Sequence, residues 1–472
     1  MSAEVKVGIA KNMEDVSKQL QNYDLLRELD GRFESLVSDF EIYYDRGVWG
    51  LRMDLGPNRS NQDLIKLYPG VYSDPKTGEL FTPDRIEKDT GFTNRAQLYD
   101  QRDKFEDMYE VSETIVDLHV LAIEQLLIQA NPENYENGIK IGPTILALRS
   151  SAGIVDDTGE NGLGQQVAQR LIDRGWKLGD DNRRFVSIEA STACGGNGLV
   201  GLIINSLGDE YHNALVIEGG VEMLGTFSDR QNTALFADGV DMRMYVNGPE
   251  GHYEYLAELK YGETVTQFAN EALCVNPLYK IDNDMLPVDI EQVLLTTKRV
   301  DKNGIHLIFR NNYMDPQTNE IGCRVTMNGR EVSRLLSGGA KRYGNDEAFN
   351  KVVLSQSESL GDFLVNGLAA LGLRVEDVAY FLNHQANGTF FARLEKWLRS
   401  SAKRQGIDIH NDHTILAPFV NGKHGNLGAN SVIRADNLTR AYYPLDTVVA
   451  EAGFGAGFMK AFSVRKRTAR NS

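Results

Sequence analysis

Cysteine is scarce. Cys194, Cys274 and Cys323 are the three in 472 residues, too few and too scattered for a disulfide framework, and this usage fits a reducing cytosol. The chain also lacks an uninterrupted apolar run of membrane-spanning length. Its N-terminal stretch MSAEVKVGIAKNMEDVSK is charged within the first few residues and carries no signal-peptide apolar block. A cytoplasmic protein with no membrane span is the expectation. Positive charge is in deficit: 50 Lys and Arg stand against 66 Asp and Glu, a net charge of -16, which provides no phosphate-neutralising face and argues against nucleic acid as the main partner. The one basic run, KAFSVRKRTAR at 460–470, reads as a solvated C-terminus.

What is present is an ordinary globular composition, 42% hydrophobic and 25% charged. At this length it accommodates two or three average domains or one fused α/β body. The most informative stretch is RFVSIEASTACGGNGLVGLIIN at 184–205. Residues 185–189 alternate as a strand does, whereas 198–207 are apolar on nearly every side, as in a helix buried on all faces. Cys194 falls where strand gives way to helix. The free backbone N–H groups and dipole of a helix start favour thiolate over thiol, lowering a pKa that begins near ~8.5. Gly195 and Gly196 leave the sulfur open to close approach. On this stretch alone two readings stand: a nucleophile, or the small buried hydrophobe that free cysteines commonly are.

Along the chain, residues 1–45 read as a polar, helical N-terminal extension with a partial stripe of Leu20, Leu25, Leu26 and Leu29. Strand-like runs begin at Phe40 and end at the turn-prone Gly56-Pro57-Asn58. The stretch 46–265 forms a first half: an amphipathic helix over 109–129, a buried strand in IGPTILALRSS, the Cys194 strand and helix, the strand ALVIEGGVE, and TALFADGVDMRMYV, a strand interrupted at Asp238-Gly239. Residues 266–330 read as an insertion or connection. In 331–472 the pattern returns as helix 352–371, strand VAYFLN, helix 389–400, strand TILAPFV, helix 429–441 and the hairpin TVVAEAGFGAGFMKAFSV. The expected architecture is layered α/β, two duplicated strand-helix halves with parallel pairing and an active site where they meet.

A nucleophilic thiol needs a base or donor, an orienting group and an oxyanion site. His384 ends a buried strand in FLNHQANGTF; His424 and Asn426 follow another in VNGKHGNLGANS and precede a helix. His410 and His413, in HNDH, lack partners at metal-ligand spacing, so no metal site is expected. His119, within an amphipathic helix, reads as packing.

The ordered set STACGG at 191–196, LFADG at 235–239, TMNGREV at 326–332, NHQAN at 383–387, KHGNLGANS at 423–431 and EAGFGAGF at 451–458 resembles the ketoacyl-acyl-carrier-protein synthase III branch of the thiolase superfamily, over roughly residues 80–468. The resemblance implies a five-layered α-β-α-β-α body. It implies that Cys194 takes up an acyl group as a thioester, and that His384 and Asn426 promote decarboxylation of a malonyl-type extender. Backbone N–H groups of Cys194 and of Ala456, in the Gly455-Ala456-Gly457 turn, would form the oxyanion hole. Acyl-coenzyme A or acyl-carrier-protein thioesters would be the substrates, with no bound cofactor, and two chains would pair as a homodimer. Asn387 and His424 are expected to matter less than Asn426 and His384.

Departures from the family pattern bear on the donor. DRIEKDTGF at 84–92 matches the first substrate-contacting segment but has Arg85 where an aromatic residue usually stacks on adenine. Thr389 stands where a carrier-docking arginine is usual, with Arg393 one helical turn on. These changes point to specialised fatty acid or polyketide-type biosynthesis. Two other readings are weighed against decarboxylative condensation: acyl transfer from Cys194 to an oxygen, nitrogen or acetyl-thioester nucleophile, and a non-catalytic partner subunit.

Overall fold

The computed structural model describes residues 36–45, 48–74, 76–98, 108–130, 144–149, 162–179, 185–190, 215–227, 233–245, 263–267, 295–300, 304–310, 324–327, 330–334, most of 361–369, 373–385, 388–409, 420–444, 448–454 and 460–467. Two sheets organise it. The larger has eight strands: β1 (Val37–Asp45), β2 (Val48–Leu55), β5 (Thr144–Arg149), β6 (Phe185–Ala190), β7 (Leu215–Met223), β8 (Asp238–Tyr245), β10 (Leu295–Val300) and β11 (Gly304–Arg310), in the order β1-β2-β8-β7-β5-β6-β11-β10. Its central strands β7, β5, β6 and β11 run parallel, and the flanking pairs are antiparallel. Every residue of β7 is buried, as expected for a strand covered on both faces. The smaller sheet has β14 (Val378–Asn383) parallel to β15 (Val448–Phe454), then β16 (Lys460–Arg467) and β9 (Glu263–Gln267), both antiparallel. Two short ladders complete the strands: β3 (Asn58–Ser60) with β4 (Asn94–Ala96), and β12 (Arg324–Met327) with β13 (Arg330–Arg334).

The helices form three further layers. Helices α3 (Met108–Ala130) and α4 (Leu163–Asp173) cover the outer face of the large sheet, packing Ile115, Leu118, Ala122 and Leu126 with Leu51, Met53, Ile217 and Met242. Helix α6 (Ser431–Thr439) lies between the sheets. Val432 and Ala435 meet Leu382 and Val449 on one side, and Asn437 donates to the Leu51 and Met242 carbonyls on the other. On the far side of the small sheet, α5 (Gly388–Arg404) and the helical residues of 361–369 pack Leu394, Leu398 and Leu368 onto Phe381 and Ala450. The expected five layers are therefore in place.

Local sequence explains the ends of the small helices near the site. Helix α1 (Asn61–Leu67) starts in a capping box between Ser60 and Asp63. Helix α2 (Pro83–Thr90) has Thr82 as N-cap, proline in its first turn and Gly91 in the left-handed region at φ 79 as its stop.

Three stretches join the sheets differently from the sequence-based division. β1 starts at Val37, inside the expected N-terminal extension. β10 and β11 lie inside the expected 266–330 insertion, yet they extend the large sheet, with Gly304 opposite Phe185. β9 closes the first half in sequence but pairs with β16 of the second. The interruption at Asp238-Gly239 is instead the start of β8, where Asp238 lies opposite Met223 and Gly239 opposite Glu222 and Asp54; residues 235–237 precede the strand. The expected helix at 198–207 and most of the strand TILAPFV lie outside the described residues.

Candidate active site

His384 follows the C-terminal end of β14 directly and is 6% exposed. Its neighbour Gln385 offers its side-chain oxygen to the Asn421 N–H at 3.0 Å. Asn421 in turn donates from Nδ2 to the Ser431 carbonyl at 3.0 Å. The His384 ring is hydrogen-bonded with the Gly428 backbone, but burial dominates and holds its pKa down at about 4. It is therefore a neutral imidazole at physiological pH. So the two polar clusters that end separate strands in the sequence come together, His384 on one side and 420–431 on the other.

Asn426, also 6% exposed, is held at backbone and side chain. Its N–H donates to the Leu235 carbonyl at 2.8 Å, and its carbonyl accepts from Ala237 N–H at 2.9 Å, a parallel bridge across Phe236. Its Oδ1 accepts from the Gly428 N–H at 2.9 Å and from the Ser431 hydroxyl at 3.2 Å. A backbone N–H can only donate, so the atom facing Gly428 is the amide oxygen, and Nδ2 is the donor end left for a ligand. Gly425 makes this approach possible. Its φ is 78, and a β-carbon there would sit 2.8 Å from that of Arg95 and 2.9 Å from that of Ala237.

The first half supports this loop from beneath. Asp238 is fully buried: Oδ1 accepts from Thr226 N–H at 3.0 Å, Oδ2 from Leu98 N–H at 2.8 Å, and the Thr226 hydroxyl bonds Oδ2 as well. Burial pushes its pKa up to about 7 despite these donors. Gln97 donates to the carbonyls of Thr233 and Phe236, both at 2.6 Å. Thr93 N–H reaches the Gly422 carbonyl at 2.7 Å. Segments 93–98 and 233–238 of one half thus carry the 420–431 loop of the other.

The remaining expected residues are dispersed. His424 is turned to the ionic network between the layers, its Nδ1 3.9 Å from Asp54 Oδ2, and Asp54 is also bonded by Arg52 and Arg434. Burial lowers the His424 pKa, while hydrogen bonding to Asp54 raises it. Arg85 lies on α2 with its side chain 45% exposed, 4.0 Å from Asp89, and its guanidinium sits 3.8 Å over the Phe81 ring. Arg393 is in the second turn of α5. Gly388, where that helix begins, is in close apposition to Gly91 at the end of α2. Cys194, Asn387 and Ala456 lie outside the described residues; β6 ends four positions before Cys194, at Ala190, and β15 ends two before Ala456, at Phe454. Among the described residues no group of three His, Cys, Asp or Glu side chains is arranged to hold a metal ion, and no helix is long and apolar enough to cross a membrane.

Nothing in the sequence marks Ser431, Gln385 and Asn421 as functional, and Asp238 shows there only as a strand interruption. Gln385, Ser431 and Asp238 lie inside the motifs NHQAN, KHGNLGANS and LFADG, but their hydrogen-bond partners are visible only in three dimensions.

No family model and no curated protein matches the sequence. Solved structures do match. The C-terminal type III polyketide synthase domain of Steely1 from Dictyostelium is 15% identical with a TM-score of 0.53, covering 90% of this chain and 99% of that one. A single-site variant of OleA from Xanthomonas campestris is 15% identical with a TM-score of 0.51, covering 91% and 97%. The 1,3,6,8-tetrahydroxynaphthalene synthase of Streptomyces coelicolor is 13% identical with a TM-score of 0.51, covering 92% and 99%. With its two sheets and three helical layers, the chain has a thiolase-like fold, shared with these solved structures.

Proposed function

We propose that the protein is a ketosynthase, an acyltransferase that joins a Cys194-bound acyl group to a malonyl-type thioester by decarboxylative Claisen condensation, or to a β-ketoacyl thioester by Claisen condensation without loss of CO₂. The observation that supports this best is the convergence of His384 and Asn426 on Gly428. Two neutral polar side chains anchored on one residue suit an oxygen that becomes negative during reaction, Asn426 through Nδ2 and His384 through its ring N–H.

Catalysis runs in three steps. The Cys194 thiolate attacks the carbonyl of an acyl-coenzyme A or acyl-carrier-protein thioester, the carrier thiolate leaves, and the backbone N–H groups of Cys194 and Ala456 hold the oxyanion. The extender's carboxylate then departs as CO₂. The electron pair of the broken C–C bond becomes an enolate, whose oxygen takes hydrogen bonds from His384 and from Asn426 Nδ2. The enolate carbon finally attacks the Cys194 thioester; a C–C bond forms, the C–S bond breaks, and the thiolate is restored. Burial keeps His384 neutral, so it brings no standing positive charge; its single ring N–H, which meets the Gly428 backbone, would turn to the enolate oxygen when substrate is bound.

The same proposal places the protein in the cytosol as a homodimer of specialised fatty acid or polyketide-type biosynthesis, with Arg85 and Arg393 contacting the carrier portion of the substrate. Intact mass after incubation with a panel of acyl-coenzyme A thioesters tests the first step, and CO₂ release from carboxyl-labelled malonyl-coenzyme A tests the second. Acylation of Cys274 or Cys323 would overturn the nucleophile. Acylation of Cys194 without CO₂ would replace decarboxylative condensation by acyl transfer to another nucleophile.

A further inference from the structure

We propose that Ser431 is a positioning residue that sets the Asn426 amide for catalysis; this rests on the condensation reading above. Ser431 opens α6 and is fully buried. Its Oγ accepts the Leu427 N–H at 3.1 Å. The hydroxyl has a single hydrogen, and with a lone pair engaged by Leu427 that hydrogen is directed to Asn426 Oδ1, 3.2 Å away. Gly428 N–H supplies the second donor to the same oxygen.

Two donors on Oδ1 fix the amide against rotation, because a flipped amide would set its NH₂ against the Gly428 N–H. The Ser431 carbonyl is the other half of the device. It accepts Asn421 Nδ2, and Asn421 N–H is held by Gln385, the residue after His384. Ser431 thus terminates a hydrogen-bonded path that begins beside one donor and ends on the other. Its hydroxyl touches no reacting atom and acts through Asn426.

The test measures acyl uptake by Cys194 from acetyl- and hexanoyl-coenzyme A, and single-turnover CO₂ release from carboxyl-labelled malonyl-coenzyme A. It compares the wild type with Ser431→Ala, Ser431→Thr, Asn426→Ala and the Ser431→Ala/Asn426→Ala double variant. Ser431→Ala is expected to slow CO₂ release about 3- to 10-fold, the contribution of one neutral hydrogen bond, with acyl uptake unchanged. Ser431→Thr, which keeps the hydroxyl, is expected to restore the rate. In the Asn426→Ala background the loss of Ser431 is expected to add nothing, since the group it positions is gone. If Ser431→Ala does not fold, Ser431→Cys keeps the shape with a weaker donor and is read in the same way. CO₂ release at the wild-type rate in the Ala variant, an equal loss of acyl uptake, or a loss that multiplies onto Asn426→Ala overturns the proposal. A wild type that acylates without releasing CO₂, or an Asn426→Ala as fast as wild type, overturns the decarboxylative condensation reading itself.

Discussion

Arg243 and Glu451 form a two-pronged pair, Nη1 to Oε2 and Nη2 to Oε1, both at 2.7 Å. The pair ties β8 of the large sheet to β15 of the small one. Arg243 also bonds Glu218 of β7 and, at 2.8 Å, Asp436 of α6, and Asp436 is bonded again by Arg440. All five side chains are buried.

Removing the central guanidinium would leave three buried carboxylates facing one another. Arg243→Gln is expected to cost about 3 to 5 kcal/mol, read from denaturant unfolding. Arg243→Lys is expected to recover little of it, because one ammonium cannot reproduce the fork that meets three partners. A loss below about 1 kcal/mol in both variants would show that the cluster does not hold the layers together.

Asp238→Asn is nearly isosteric yet is expected to destabilise by about 1 to 3 kcal/mol. Both oxygens accept from donor-only backbone N–H groups, Thr226 on one and Leu98 on the other, so either orientation of the amide sets NH₂ against N–H. Residues 235–237, which bond the Asn426 backbone, would shift with it. CO₂ release should fall more than acyl uptake, which a comparison of the two rates checks.

Gly425→Ala combines a left-handed φ of 78 with contacts of 2.8 and 2.9 Å for the new carbon. A non-glycine residue in such a conformation costs about 1 to 3 kcal/mol before any clash. The expected result is lower stability by thermal unfolding together with a displaced Asn426, again seen as condensation lost ahead of acylation.

The pH response of His384 has a definite sign. Its folded pKa, about 4, lies below the ordinary 6.5, so between those values the unfolded chain binds a proton that the folded one refuses. Stability from this group is full above about pH 6.5 and falls as pH drops toward 4, by up to about 3 kcal/mol. His384→Gln should flatten that part of the stability profile. CO₂ release should show no His384 titration from pH 6 to 8; an inflection near 6.5 that disappears in His384→Gln would contradict the buried neutral ring.

The regular elements were legible because their periods are local. Helix α3 shows its spacing in Val111, Ile115, Leu118 and Leu126, and β5, β7 and β14 are short apolar runs bounded by polar turns. Strand neighbours were not, since nothing in GIHLIFR says that Gly304 will lie beside Phe185. This is why residues 295–310 read as part of an insertion. Charge misleads in the same way: Arg243 and Arg434 look like surface residues in sequence, yet each is buried among carboxylates brought from distant parts of the chain, and Arg52 is buried beside Asp39 and Asp54 of its own hairpin. At the site, motif order singled out His384 and Asn426, whereas Ser431 and Asp238 act through partners that only the fold assembles.

The central claim is that His384 and Asn426 serve the enolate while Cys194 takes the acyl group without them. Its most direct test is single-turnover CO₂ release from carboxyl-labelled malonyl-coenzyme A, measured beside self-acylation in His384→Ala and Asn426→Ala. The account predicts normal acylation and CO₂ release slowed about 10²- to 10³-fold in each, the usual cost of one oxyanion donor. Normal CO₂ release in Asn426→Ala, or an acylation defect as large as the condensation defect in both variants, would contradict it.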